Sequence, residues 1–188
     1  KELLVSPFNT RLKIHRFIDV EIANHLAGKE AWIIIKLNNL VDEDLIKKLY
    51  QASSKGVKIQ LIIRGICSLK PGVKGMSENI EVVSVLGRYL DHSRVLLFAN
   101  GGNKRCYIGS ADWMVRNMDK RIEVLTPILD KRIVNDIAHV LNLQLTDNKK
   151  GRIIDEDQKN EYKKVPGRVI HSQVEIHDFY KKKVSKKK

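Results

Sequence analysis

The sequence predicts an α/β domain, a mixed and largely parallel sheet flanked by helices. Short apolar runs alternate with longer stretches of helical periodicity, glycine and asparagine punctuate the junctions, and a β-α-β unit reads directly between Ala31 and Ile63. Residues from about Asn9 to Leu26 read as a helix, with Leu12, Phe17, Ile18 and Ile22 near one face and Gly28 as its stop. Ala31 to Leu37 is a continuous apolar run rich in β-branched residues, the pattern of a strand buried on both faces. Asp42 caps a second helix carrying Leu45, Ile46, Leu49 and Ala52, which stops at Gly56. Val57 to Ile63 and Ile80 to Val85 are the next strands, Val95 to Phe98 and Cys106 to Ile108 the arms of a hairpin. Arg121 to Leu125 is a further strand, and Asp130 to Leu145 a helix. Beyond Asn148 charge rises and apolar periodicity fades, apart from a weak stretch over Val169 to Tyr180. Residues 1–150 are therefore expected to be the folded domain and 151–188 a peripheral basic arm. Its end, Lys181 to Lys188, has six lysines in eight residues and is expected to be disordered.

The 188 residues carry a net charge of +13, and the excess is spread along the chain. Residues 1–150 hold 24 Lys and Arg against 16 Asp and Glu, and 151–188 hold 11 against 6. Polyanions are the partner class this implies: nucleotides, inorganic phosphate chains, nucleic acid, or an anionic membrane surface to which the chain would associate peripherally. Two cysteines, Cys67 and Cys106, fit neither a disulfide framework nor a zinc site and agree with a reducing cytoplasm. No run approaches the roughly 20 apolar residues of a membrane span. Without an initiator methionine or a signal peptide, the chain is expected to be a piece of a longer protein.

The densest chemistry lies around the predicted hairpin. Asn100-Gly101-Gly102-Asn103 accepts the positive φ of a tight turn. With Gly101 and Gly102 as its central pair, Arg94 faces Gly109, and His92 comes near Ser110 and Ala111. An imidazole, a guanidinium, a hydroxyl and the Asp112 carboxylate then meet at one end of the hairpin. Imidazole next to a carboxylate serves as nucleophile, base or acid because it titrates near neutral pH. Lys36 and Arg64 end neighbouring parallel strands, at the carboxyl edge where open α/β sheets bind ligands. Arg88, Arg94, Arg116 and Arg121 fall in loops or strand starts around His92. Arginine suits phosphate because its planar fork binds two oxygens at once. The glycine-rich loop from Arg64 to Gly75 is not a P-loop, which needs Gly-Lys-Ser/Thr opening a helix. No metal site is expected.

His92-x-Arg94 followed by Gly109-Ser110-x-Asp112 resembles a degenerate phospholipase D superfamily signature, His-x-Lys followed by Gly-Ser-x-Asn, with arginine in place of the lysine and aspartate in place of the asparagine. Longer stretches resemble one branch more closely. Ser6-Pro7-Phe8-Asn9, Leu37-Asn38-Asn39-Leu40, Arg64-Gly65-Ile66-Cys67, Arg88-Tyr89-Leu90, Ser110 through Met114 and Arg121-Ile122-Glu123-Val124 are similar to the C-terminal domain of the polyphosphate kinase family. The resemblance implies a phospholipase-D-like fold forming one half of a two-domain catalytic core. The full enzyme would reversibly transfer the terminal phosphoryl group of ATP to inorganic polyphosphate, with magnesium accompanying the nucleotide. The phosphorylated histidine would lie in a sister domain missing from this chain, as would the other N-terminal domains. The full enzyme is expected to be a homo-oligomer, and the isolated domain to be inactive. His92 matches the second histidine, with Ser110 and Asp112 expected to hold its ring. Arg64 and Arg121 match residues that contact the nucleotide's phosphates, while Arg94, Lys36 and Arg88 would be secondary anion contacts. Two alternatives stand beside this reading: a homodimeric phosphodiesterase or nuclease of the phospholipase D superfamily, and a non-catalytic polyanion-binding module. Specific nucleic-acid recognition is not expected.

Overall fold

The computed structural model describes residues 3–164 and 166–185. In chain order the elements are β1 (Leu4–Ser6), α1 (Thr10–Leu26), β2 (Trp32–Leu37), α2 (Glu43–Ser54), β3 (Lys58–Ile63), β4 (Ile80–Val85), β5 (Arg94–Phe98), β6 (Arg105–Gly109), α3 (Val115–Asp119), β7 (Glu123–Ile128), α4 (Lys131–Leu145), β8 (Gly151–Ile154), β9 (Glu161–Tyr162) and α5 (Ser172–Ser185). All described strands join one sheet in the order β1-β7-β6-β5-β2-β3-β4-β8-β9. The pairs β2–β3 and β3–β4 are parallel, as the β-α-β reading requires. Every other pairing is antiparallel, so the expected predominance of parallel strands holds only at the centre. The reason is connectivity: parallel neighbours need a long crossover, which α2 supplies between β2 and β3 and residues 64–79 supply between β3 and β4.

Helices cover both faces. α1 and α2 place Ile14, Phe17, Ile18, Leu45 and Leu49 against Ile33, Ile35, Leu37, Ile59, Leu61 and Leu96. α4 packs Val134, Leu141 and Leu145 against Ile62, Val83, Val95 and Leu97 on the opposite face. The alternation of side chains along a strand sorts β2 between the two layers. Odd positions face α1 and α2, while Ile34 packs with the α4 layer. By the same alternation Lys36, only 3% exposed, lies on the α4 side. Asp42 caps α2 by accepting from the Leu45 N–H at 3.1 Å, as its position predicts.

The hairpin keeps the predicted register, Arg94 opposite Gly109 and Val95 opposite Ile108. Its turn is wider than the expected two-residue loop. Asn100, Gly101 and Gly102 have φ of 49°, 64° and 92°, a run of left-handed backbone that asparagine and glycine tolerate. Glu21 of α1 fixes this turn by accepting from the Asn100 N–H at 2.7 Å.

The boundary expected at residue 150 is not a structural one. β8 pairs with β4 and β9 with β8, so residues 151–162 extend the main sheet. Buried Asp147 ties the junction by accepting from the N–H groups of Lys149, Lys150 and Gly151, and from the Ser172 N–H and hydroxyl at 2.8 and 2.6 Å. Residues 181–185 of the expected disordered tail belong to α5, and 186–188 lie outside the described residues. No described helix is long and apolar enough to cross a membrane.

Candidate active site

Five strand ends meet along one edge of the sheet. Because β2 and β3 are parallel while β5 and β7 run against β2 and β6, the carboxyl ends of β2, β3 and β6 share that edge with the starts of β5 and β7. Lys36 and Asn38, Arg64, Arg94, Ser110 and Asp112, and Glu123 therefore lie side by side there. The segment after β2 laces the edge together. Leu40 donates its N–H to the Ile66 carbonyl at 2.8 Å, and Val41 donates to the Trp113 carbonyl at 2.8 Å. Gly65 passes so close to this segment that a Cβ there would sit 2.6 Å from the Asn39 side-chain oxygen and 2.8 Å from the Asn38 carbonyl. Only glycine permits that approach.

Asp112 is buried and accepts six hydrogen bonds. The backbone N–H groups of Asn38 and Asn39 reach Oδ1 at 2.8 and 3.2 Å, and the side-chain amides of the same residues reach the carboxylate at 3.3 and 3.1 Å. Arg94 adds a fork, Nε to Oδ1 at 3.3 Å and Nη2 to Oδ2 at 3.2 Å. Burial pushes the Asp112 carboxyl up, but the Arg94 fork and the asparagine donors outweigh it and hold it below its ordinary value.

The remaining arm of Arg94 belongs to His92. Nη1 donates to the His92 carbonyl at 2.8 Å and lies 2.9 Å from Nδ1 of the ring. A guanidinium nitrogen only donates, so Nδ1 accepts and the proton of the neutral ring sits on Nε2. The exposed imidazole thus presents an N–H outward from the sheet edge.

The expected ring-holders of His92 make their bonds elsewhere. Asp112 acts on the ring through Arg94. The Ser110 hydroxyl donates to Glu123, which also accepts from the Asn117 amide at 2.6 Å. Adjacent residues on a hairpin edge point to alternate faces, so proximity along the chain did not become contact.

Lys36 was expected to be an anion contact. Its ammonium is buried and lies 3.2 Å from Asp91, a residue the sequence reading passed over. Burial pushes the Lys36 ammonium down and prevails over the opposing pull of Asp91. Asp91 also accepts from the Ser93 N–H and hydroxyl and from the Gln144 amide at 2.8 Å. Burial pushes its carboxyl up, yet these donors and Lys36 leave it below its ordinary value. Arg64 donates from Nε to the Asn38 side-chain oxygen and is half-buried beside the same network. Arg88 and Arg121 are exposed in the loops before β5 and β7, with the Arg88 guanidinium 5.7 Å from the Tyr89 ring centre.

Magnesium fits this chain poorly. Among the described residues there is no group of three or more His, Cys, Asp or Glu able to hold a metal ion. The carboxylates of the edge already face Arg94, Lys36 or amide and hydroxyl donors. An ion accompanying a nucleotide would find its ligands on the phosphates or on groups outside these residues.

The fold is phospholipase-D-like. The solved structure of Nuc from Salmonella typhimurium, a phospholipase D family member, superposes with a TM-score of 0.59 at 15% identity, covering 82% of this chain and 97% of that one. The chain belongs to the family described as polyphosphate kinase C-terminal domain 2, whose model matches residues 3–173. It is 52% identical over 180 residues to a polyphosphate kinase of Vibrio cholerae, covering 95% of this chain and 26% of that protein. The crystal structure of polyphosphate kinase from Porphyromonas gingivalis superposes with a TM-score of 0.94 at 40% identity, over 97% of this chain and 28% of that one. The chain thus spans about a quarter of the length of the relatives it matches.

Proposed function

We propose that this chain is the C-terminal part of a polyphosphate kinase that moves the terminal phosphoryl group of ATP reversibly onto inorganic polyphosphate. The observation that carries the reading is the relay from Asp112 through Arg94 to His92, set beside Arg64 on one sheet edge. Phosphoryl transfer asks the protein for positioning and charge neutralisation more than for covalent chemistry. Arg64 and Arg121 contact the nucleotide's phosphates, and Arg88 adds an exposed positive charge at the rim. His92 offers its Nε2–H to an oxygen of the transferring group or of the leaving phosphate. Arg94 keeps that proton on the outward nitrogen, and Asp112 keeps Arg94 in place. Lys36 contributes positive potential from beneath the edge, moderated by Asp91. The covalent phosphohistidine belongs to a sister domain outside this chain, so the chain alone does not turn over.

The full enzyme acts as a homo-oligomer in the cytoplasm, a setting supported by the two free thiols. Its surplus of positive charge also suits peripheral contact with an anionic membrane.

Replacing His92 by alanine in the full-length enzyme should abolish polyphosphate synthesis while nucleotide still binds. Arg64→Ala should chiefly weaken nucleotide affinity. Near-normal turnover of the His92 variant would sink the reading.

A further inference from the structure

Eight residues, 86–93, connect β4 to β5 and carry both Arg88 and His92. Residues 86–90 are all exposed, and nothing in their composition would hold them. Their anchor comes from the far end of the chain. At the first turn of α5, the Gln173 side-chain oxygen accepts from the Tyr89 N–H at 3.1 Å, and its amide donates to the Tyr89 carbonyl at 2.6 Å. The amide thereby pairs with both polar groups of one backbone residue, as a neighbouring strand would. Gly87 lies directly beneath: a Cβ there would approach the Gln173 amide to between 2.3 and 2.9 Å.

The bracket itself is rigidly held. Buried Asp147 accepts from both the N–H and the hydroxyl of buried Ser172, next to Gln173, and its other oxygen gathers three N–H groups at the entry to β8. Farther along the same loop, Gln144 of α4 holds Asp91. α5 and α4 thus grip the loop at Tyr89 and Asp91, on either side of Leu90, three residues before His92 and one residue before it.

We propose that Gln173 is a positioning residue for His92, and that α5 serves as a clamp fixing the height of the catalytic loop over the sheet edge. The proposal rests on the function argued above. Misplacement by about 1 Å can cost up to about a hundredfold in rate, so a pair of hydrogen bonds that fixes the backbone of an exposed loop bears directly on turnover.

In the full-length enzyme, Gln173→Ala should speed amide hydrogen exchange across 86–93 and lower kcat for polyphosphate synthesis by roughly 10- to 100-fold, with KM for ATP changed by less than about threefold. Gln173→Glu, which can still accept from the Tyr89 N–H but cannot donate to its carbonyl, should fall between. Gly87→Ala should slow the wild type yet add little to Gln173→Ala, because the side chain it strikes is gone. Unchanged exchange over 86–93 in both Gln173 variants would overturn the proposal, as would independent, multiplying effects of the Gly87 and Gln173 substitutions. Should α5 fail to fold in Gln173→Ala, the Gln173→Glu comparison decides. A His92→Ala enzyme that kept its turnover would instead overturn the functional reading and leave the exchange result standing.

Discussion

Arg94 and Asp112 are joined across the β5–β6 hairpin by a two-pronged ion pair, with side chains only 12% and 7% exposed. These are the two positions at which the sequence departs from the phospholipase D signature. The structure makes the departures a single event. A carboxylate needs a fork to satisfy both oxygens, and a guanidinium reaching over that carboxylate has one arm left for the histidine. Lysine and asparagine would form neither the fork nor the extra arm.

The two substitutions should therefore be strongly coupled. Asp112→Asn should destabilise the 188-residue chain by about 3 kcal/mol, because it leaves the guanidinium without its charged partner. Arg94→Lys should cost about 1–2 kcal/mol, because lysine keeps the charge but loses the fork. The double variant should cost less than the sum, by about 1–3 kcal/mol. Urea unfolding of the four proteins measures the coupling. Strict additivity would mean that the fork contributes nothing that its parts do not.

Acid should erase the difference between the wild type and Asp112→Asn. The Asp112 carboxyl is held below its ordinary value in the folded chain, where burial opposes ionisation but Arg94 and the asparagine amides prevail. A depressed carboxyl pKa gives stability that is fully present above the unfolded value, near 3.9, and is lost as pH falls through the folded one. The gap in urea midpoint between the two proteins should accordingly be widest near neutrality and narrow below about pH 4. A gap independent of pH would show that the loss in the variant is steric.

How far the sequence reveals this site depends on the range of each contact. β4 was readable to the residue, because Ile80 to Val85 is long enough for apolar pattern to show. The hairpin register followed from the position of its glycines, even though the turn is wider than two residues. β1, β8 and β9 were missed, with three, four and two residues, too few for any period to register. α5 was hidden for another reason: its first turn is fixed by Asp147, 25 residues upstream, where local capping signals cannot point. The same distance effect concealed Asp91, whose partners Lys36 and Gln144 lie 55 and 53 residues away. Residue types at the edge were legible, while the choice of which ones touch was made by strand order.

Glu123 shows what that choice conceals. It lies buried at the start of β7, takes the Ser110 hydroxyl and the Asn117 amide, and so binds the end of β6 to α3 just below the loop carrying Arg121. Glu123→Ala would leave the buried Asn117 amide without an acceptor and release the exposed Ser110 hydroxyl to water, and should destabilise the chain by about 1–3 kcal/mol. Glu123→Gln keeps one oxygen for Asn117 and turns an N–H toward Ser110. The serine hydroxyl can accept that bond and rotate its own hydrogen to solvent, so the cost should stay below about 1 kcal/mol. In the full-length enzyme the alanine variant should raise KM for ATP several-fold as Arg121 loosens, whereas the glutamine variant should stay near the wild type. Equal kinetic damage from both would show that the Glu123 charge, rather than its hold on Ser110 and Asn117, is what the site requires.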